Sequence, residues 1–351
     1  MIQRRKSKQI EIGNIKIGGD APISVQSMTN TDTRDVKSTL KQINNMAEQG
    51  CELVRLAILN PDAADAIREI KKQSPLPLIA DIHFDYRLAI RCIENGIDAL
   101  RINPGNIGKE EHTKKVVALA KTNNVTIRIG INGGSLEKEL EVLDIPLAEK
   151  MVKSAMRHIQ ILEDNNFDKI KISLKSSDVL TTIEAYRLIA EKVDYPLHLG
   201  VTEAGTYTGG IVKSAVGLGT LLAEGIGDTI RVSLTDNPVE EVKAGYMILK
   251  SLGLRQRGIN FVSCPTCGRT QIDLIGLAKT VENRLENFDK PLTIAVMGCA
   301  VNGPGEAKHA DYGIAGGIKE GYIFKKGEII KRLPEEKLVD EFINLIQMEN
   351  V

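Results

Sequence analysis

One pattern dominates this chain: a short run rich in Ile, Leu and Val, then a segment of helical period, repeated eight times. The runs begin near Ile23, Leu53, Leu78, Ala99, Thr126, Ile170, Leu197 and Thr229. The first helical segment, Arg34 to Gln49, places Val36, Leu40, Ile43 and Met46 on one face and stops at Gly50. The second opens at Asn60-Pro61, a capping residue followed by proline at the first helical position. Further segments run roughly over Tyr86–Asn95, Glu110–Asn123, Leu147–Asn165, Asp178–Val193, Ile211–Glu224 and Val239–Leu252. Eight strand–helix units within about 250 residues match a TIM (β/α)8 barrel in count and length. A doubly wound open sheet shares the alternation, which alone does not show closure.

The alternation stops at the polar stretch Leu254-Arg255-Gln256-Arg257-Gly258. Beyond it come three cysteines, a helix (Ile272–Glu286), a strand (Leu292–Met297) and a Gly/Pro loop. A hairpin turning at Lys325-Lys326-Gly327-Glu328 and a helix from Glu335 to about Met348 complete a small α+β domain. Residues 1–255 are expected to form the substrate-binding barrel and 256–351 the second domain, with a short hairpin over Ile10 to Ile17 ahead of the barrel. Lys+Arg and Asp+Glu balance at 46 each, and aromatics are scarce, so nucleic acid and membrane surfaces are not expected partners. The basic Arg4-Arg5-Lys6-Ser7-Lys8 lacks the apolar stretch of a secretory signal, and no run has transmembrane length; a cytoplasmic protein is expected.

Active sites of such barrels lie at the C-terminal strand ends, and strand side chains alternate inward and outward. Reading those ends gives Arg55, Asp81 with His83, Arg101 with Asn103, and Arg128 with Asn132. The later strands give Lys171 with Ser173, His198 with Thr202, and Arg231 with Ser233. Five cations thus face one clear in-register anion, Asp81. An unpaired cation inside a packed barrel is costly, and a bound polyanion relieves that cost. Guanidinium groups suit phosphate oxygens, so a phosphate- or diphosphate-bearing substrate is expected; structural ion pairs with loop carboxylates are the other reading. Glu203, one residue off the inward register after the seventh strand, can serve in proton transfer or pair with an arginine.

Cys51 and Cys92 lie among apolar residues and read as structural thiols. Cys264-Pro265-Thr266-Cys267-Gly268 is a turn that converges two sulfurs, and Cys299 opens Cys299-Ala300-Val301-Asn302-Gly303-Pro304-Gly305-Glu306. Zinc, an iron–sulfur cluster and a redox disulfide all use such turns. No second CxxC is present, so a fourth ligand has to come from elsewhere; His309 and Glu306 are the candidates.

These features together resemble the (E)-4-hydroxy-3-methylbut-2-enyl diphosphate synthase family, in its compact bacterial form, over essentially the whole chain. The most specific segments are Pro22-Ile23-Ser24-Val25-Gln26-Ser27-Met28-Thr29, Ala80-Asp81-Ile82-His83-Phe84 and Arg101-Ile102-Asn103-Pro104-Gly105-Asn106-Ile107-Gly108. Cys264-Pro265-Thr266-Cys267-Gly268-Arg269 and Met297-Gly298-Cys299 through Glu306 complete the match. The resemblance implies a [4Fe–4S] cluster held by Cys264, Cys267, Cys299 and Glu306. It implies reductive ring opening and dehydration of 2-C-methyl-D-erythritol 2,4-cyclodiphosphate, with electrons from a flavodoxin or ferredoxin. Glu203 would supply the proton for the departing hydroxyl, and the cationic mouth would hold the diphosphate, with Asn103, Asn132, Ser173 and Ser233 as neutral donors. It further implies a homodimer in which the cluster domain of one subunit covers the barrel of the other. The alternative is a diphosphate-binding barrel synthase with a structural zinc appendage and no redox role.

Overall fold

Each of the eight apolar runs becomes a strand in the computed structural model, which describes residues 2–286, 288–299, 307–318 and 320–349. A hairpin of β1 (Ile10–Ile12) and β2 (Ile15–Ile17) precedes them. The barrel strands are β3 (Ser24–Met28), β4 (Leu53–Ala57), β5 (Leu78–Asp81), β6 (Ala99–Arg101), β7 (Thr126–Asn132), β8 (Ile170–Lys175), β9 (His198–Leu199) and β10 (Thr229–Ile230). They pair in parallel in the order β8-β7-β6-β5-β4-β3-β10-β9. The Ile172–Leu197 bridge between β8 and β9 joins the two ends, so the sheet is a barrel and not an open doubly wound sheet.

The principal helices between the strands are α1 (Val36–Glu48), α2 (Pro61–Gln73), α3 (Tyr86–Glu94) and α4 (Glu110–Thr122). After β7 come a single turn, α5 (Lys138–Glu141), and then α6 (Leu147–Asp164). The last three are α7 (Val179–Ala190), α8 (Tyr207–Ala223) and α9 (Pro238–Ser251). Their starts follow from capping: Asp35 accepts the Ser38 N–H at 3.0 Å and Asn60 accepts the Ala63 N–H at 2.9 Å, with Pro61 leading the helix. Helix α8 begins four residues earlier than the Ile211 expected from apolar period, because Gly209-Gly210 lies inside it. A Cβ at Gly210 would sit 2.5 Å from Leu234, so close packing excludes a side chain at that helical position.

The bottom of the barrel is closed by the N-terminal hairpin. Ile10, Ile12 and Ile17 pack with the inward Leu53, Ile79 and Ala99 in one apolar cluster. The Thr126 hydroxyl donates to the Glu11 carbonyl at 2.9 Å. The basic segment ahead of the hairpin is structural: Arg4 pairs with Asp228 at 3.1 Å, and Arg5 donates to the Val193 and Tyr195 carbonyls at 2.6 Å each.

The chain divides into two compact units, Met1–Arg255 and Gln256–Val351. The second holds a five-stranded mixed sheet, β11 (Ile259–Ser263), β12 (Leu292–Met297), β13 (Tyr312–Gly316), β14 (Glu320–Lys325) and β15 (Glu328–Pro334), in sequence order. The first three strands are mutually parallel and the last three antiparallel. Helices α10 (Leu274–Arg284) and α11 (Glu335–Glu349) bury Leu277, Val281, Phe342 and Ile346 with Ile294, Val296 and Ile314 of the sheet. The turn Lys326-Gly327 has φ of +49° and +84°, the left-handed pair that a tight hairpin demands.

Candidate functional site

Strand register decides which side chains enter the barrel. Arg101 of β6 lies opposite Asp81 of β5 on one side and Arg128 of β7 on the other. Arg128 in turn lies opposite Lys171 of β8, Gly130 opposite Ser173, and Asn132 opposite Lys175. Stepping by two from Lys171 through Ser173 reaches Lys175, a sixth cation that the same period points to.

Asp81 is the hub of the mouth, 3.3 Å from Arg101 Nη1 and 3.5 Å from Arg55 Nε. Burial alone raises its carboxyl pKa, but Arg55, Arg101 and Arg128 outweigh it and hold the group below its ordinary value. Burial pushes Arg55 down to about 10, with Asp81 opposing. The Met28 sulfur accepts from Arg55 Nε at 3.1 Å and lies 3.6 Å from Arg231 Nη1. His83 is exposed above this cluster, with Nε2 3.2 Å from Arg101 Nη1.

Arg231 is not a free cation. Glu241 of α9, which is 3% exposed, accepts from its Nε and Nη2 at 3.1 Å each and is itself fixed by the Ser27 hydroxyl at 2.7 Å. The sequence count of five cations against one anion is therefore corrected to six against two. Glu241 was missed because it occupies the first turn of a helix, where an acidic residue needs no special explanation.

The remaining cations are deeper and carry no anionic partner among the described residues. Arg128, 2% exposed, donates to the Ser173 hydroxyl at 2.9 Å, while its Nε and Nη2 find no acceptor. Lys171 is fully buried and its ammonium has no partner. Lys175 Nζ lies 3.3 Å from His198 Nε2, and His198 Nδ1 lies 2.7 Å from the Thr229 hydroxyl. Burial drives Lys171, Lys175, Arg128 and His198 well below their ordinary values, and their mutual repulsion adds to the effect. Two glycines make room for these groups: a Cβ at Gly130 would lie 2.4 Å from Arg101 Nε, and one at Gly200 would lie 2.4 Å from Lys175 Nζ.

Asn103 is held by both faces of its amide, accepting from Gly130 N at 2.9 Å and donating to Gly130 O at 3.2 Å. Asn132, Thr202 and Ser233 are half-buried at their strand ends. Glu203 is exposed and has φ of +53°, a left-handed backbone that costs a side-chain-bearing residue on the order of 1 kcal/mol. Strain of this kind is maintained where the surrounding loop fixes it; here Thr235 N donates to Gly205 O at 2.9 Å.

In the second unit, Cys264 follows β11 and Cys299 follows β12, so both sit at the C-terminal ends of neighbouring parallel strands. Their segments interlace: Gly298 N donates to Cys264 Sγ at 3.2 Å, and Gln271 N donates to Gly298 O at 3.1 Å. Cys267 is exposed, and the Arg269 backbone N–H foremost, then the Arg269 side chain, holds its thiol below the ordinary value. Cys299 is 6% exposed. Among the described residues, no three His, Cys, Asp or Glu side chains are already gathered in metal-binding geometry. Glu306 lies outside the described residues. Cys51 and Cys92, by contrast, are buried in the barrel and their thiols are pushed up to about 12 by burial.

A closed barrel with a polycationic mouth, joined to a unit bearing three thiols, defines the class: a TIM-barrel protein with a cysteine-bearing C-terminal domain. The model of the GcpE TIM-barrel domain matches residues 7–246, and that of the GcpE protein C-terminal domain matches residues 260–348. The chain belongs to the GcpE family of 4-hydroxy-3-methylbut-2-en-1-yl diphosphate synthases. A synthase of that name, marked as flavodoxin-dependent, from Geobacter sulfurreducens is 60% identical over 341 residues, covering 97% of each chain. The corresponding Clostridium perfringens protein is 58% identical over 347 residues and 99% of each chain. Among solved structures, dihydropteroate synthase from Xanthomonas albilineans has a TM-score of 0.51 at 13% identity, covering 70% of this chain and 98% of its own. A truncated 3-deoxy-D-arabino-heptulosonate 7-phosphate synthase from Thermotoga maritima gives 0.51 at 13%, with 71% and 94% covered. Those two likenesses establish the barrel and nothing of its chemistry. No described helix is long and apolar enough to cross a membrane.

Proposed function

We propose that the barrel mouth binds the diphosphate of 2-C-methyl-D-erythritol 2,4-cyclodiphosphate and that the second unit carries a [4Fe–4S] cluster which delivers the electrons. The overall change takes up two electrons and two protons, opens the ring at its carbon–oxygen bond and releases one water. The observation that carries the reading is the set of buried cations without anionic partners, Arg128, Lys171 and Lys175, beneath Arg55 and Arg101. A bound diphosphate supplies the missing negative charge, and each charge-assisted hydrogen bond formed contributes about 1.5–3 kcal/mol. Asp81 offsets part of the positive charge of Arg55 and Arg101 and spaces them across the mouth. Asn103, Asn132, Ser173 and Ser233 offer neutral donors to the same oxygens, with Thr202, His83 and His198 around them.

The donor set of the second unit fits a cluster: three thiols on two interlaced segments, one already accepting a backbone N–H at sulfur. Cys264, Cys267 and Cys299 would hold it, with Glu306 as the fourth, more readily displaced ligand. When bound, the cluster supplies Lewis acidity and single electrons. Glu203, at the mouth on a strained backbone, would give its proton to the hydroxyl that leaves.

Flavodoxin is the electron donor named for the relatives, and this reading extends it to the present chain, with ferredoxin as the alternative. A homodimer that covers the mouth, with one subunit's cluster domain over the other's barrel, is supported by exposed apolar residues on the loops there: Leu59 at 83%, Phe84 at 73% and Val142 at 83% exposure. A cytoplasmic location suits this chemistry. Anaerobic purification tests the proposal: a brown protein with about four iron and four sulfide per chain is expected, turning over the cyclic diphosphate with a reduced flavodoxin. A colourless protein holding one zinc and inert toward that substrate would falsify it.

A further inference from the structure

One buried histidine outside the mouth touches the loops of two adjacent strands. His158 lies on α6 and is 1% exposed. Its Nδ1 accepts the backbone N–H of Gly105 at 3.1 Å, in the loop that follows β6. Its Nε2 lies 3.1 Å from a carboxylate oxygen of Glu137, in the loop that follows β7. Because Nδ1 accepts, the ring proton resides on Nε2, the nitrogen nearer the carboxylate. The approach is an ion-pair contact without the alignment of a hydrogen bond, and neither His158 Nε2 nor either carboxylate oxygen of Glu137 makes a hydrogen bond among the described residues. Burial lowers the pKa of His158, with Glu137 opposing and Arg157 adding to the effect, which favours this neutral form. The fit is close: a Cβ at Gly105 would lie 2.8 Å from His158 Cε1, so the loop meets the ring with a glycine.

The loop so held is the one that carries the diphosphate-binding groups of β6. Asn103 is two residues from Gly105, and its amide and Arg101 Nη2 all meet at Gly130, the latter at 2.7 Å. We propose that His158 is a positioning residue for the reaction, fixing the Asn103–Gly105 loop to the Glu137 loop so that Arg101 and Asn103 are presented to the diphosphate. This rests on the reading of the mouth given above and adds a residue that never touches substrate.

The test uses the full chain, purified anaerobically, with inorganic pyrophosphate binding by calorimetry and steady-state kinetics on the cyclic diphosphate. His158→Phe keeps the volume and removes both polar contacts. It should raise the pyrophosphate Kd and the KM about tenfold and leave kcat within about twofold, because a displaced loop costs binding geometry. Amide exchange at Gly105 should quicken in the same variant. His158→Asn, whose carbonyl can replace Nδ1 as acceptor, should restore most of the affinity. Should the phenylalanine variant not fold, Glu137→Leu should still weaken pyrophosphate binding about threefold. Arg128→Ala separates the two ideas. If it weakens pyrophosphate binding while His158→Phe and Glu137→Leu do not, the positioning role is wrong and the mouth stands. If Arg128→Ala also binds normally, the mouth reading fails and takes this role with it.

Discussion

The mouth of the barrel and the cysteine site are built in opposite ways. At the mouth, packing does the positioning: Arg128 and Lys171 are locked on neighbouring strands, and Gly130 and Gly200 leave the space that Arg101 and Lys175 fill. Packing alone builds this arrangement, and its like charges are held together at a cost. In the second unit the thiols share two interlaced segments, yet the described residues do not bring three ligands into metal-binding geometry. There the bound group itself would complete the arrangement, as metals do for many small domains. A preformed anion site gives affinity through rigidity; a ligand-completed site allows one of its ligands to be released.

Substitutions can break that comparison. The largest effect is expected from Cys299→Ser: iron content and turnover should both collapse, the latter by more than about 100-fold, while pyrophosphate binding at the mouth stays at the wild-type level. Loss of pyrophosphate binding in that variant would show that the mouth is not independently built. Next comes Arg128→Met, which should raise KM by roughly 10- to 100-fold through lost charge-assisted hydrogen bonds, with iron and sulfide unchanged.

The smallest effect concerns stability without ligand. Lys171→Met replaces a buried ammonium lacking a partner with an apolar chain of similar length and should stabilise the ligand-free protein by about 1–2 kcal/mol. Its pH dependence follows from the lowered pKa. Between the folded value and the ordinary 10.5, the unfolded chain binds a proton that the folded one does not, so wild-type stability rises with pH across that window. Lys171→Met should flatten the slope in thermal unfolding monitored at several alkaline pH values. An unchanged slope would mean that Lys171 is already neutralised by a partner.

The barrel was legible because its strands are short Ile, Leu and Val runs separated by helical period and capping signals. Two strands of the second unit were not. Strand β11, Ile-Asn-Phe-Val-Ser, has no continuous apolar run and leaves several positions exposed, so the segment between the linker and the first cysteine carried no strand signal. Strand β13, Tyr-Gly-Ile-Ala-Gly, carries two glycines that suggest a loop. The structure explains one of them: a Cβ at Gly313 would lie 2.1 Å from the Phe324 ring, which occupies that space from the paired strand. At the mouth, period two found most inward residues but stopped one step short of Lys175. Glu241 and His158 could not be found that way, because they lie on helices and no local spacing links them to Arg231 or Gly105.

The N-terminal plug carries a consequence for how this protein is made. Arg4 and Ser7 are held by Asp228, Arg5 N donates to Gly225 O, and Lys8 N donates to Asp194 O. This segment thus waits during synthesis for partners more than 180 positions downstream. Ile10, Ile12 and Ile17 meet Leu53, Ile79 and Ala99 within the first hundred residues, but the polar anchors of the segment before them require a loop of about 190 to 220 residues to close. Closure of the ring and anchoring of the segment ahead of the plug are therefore late events, and a nascent chain halted before residue 228 would carry Arg4 and Ser7 without their carboxylate.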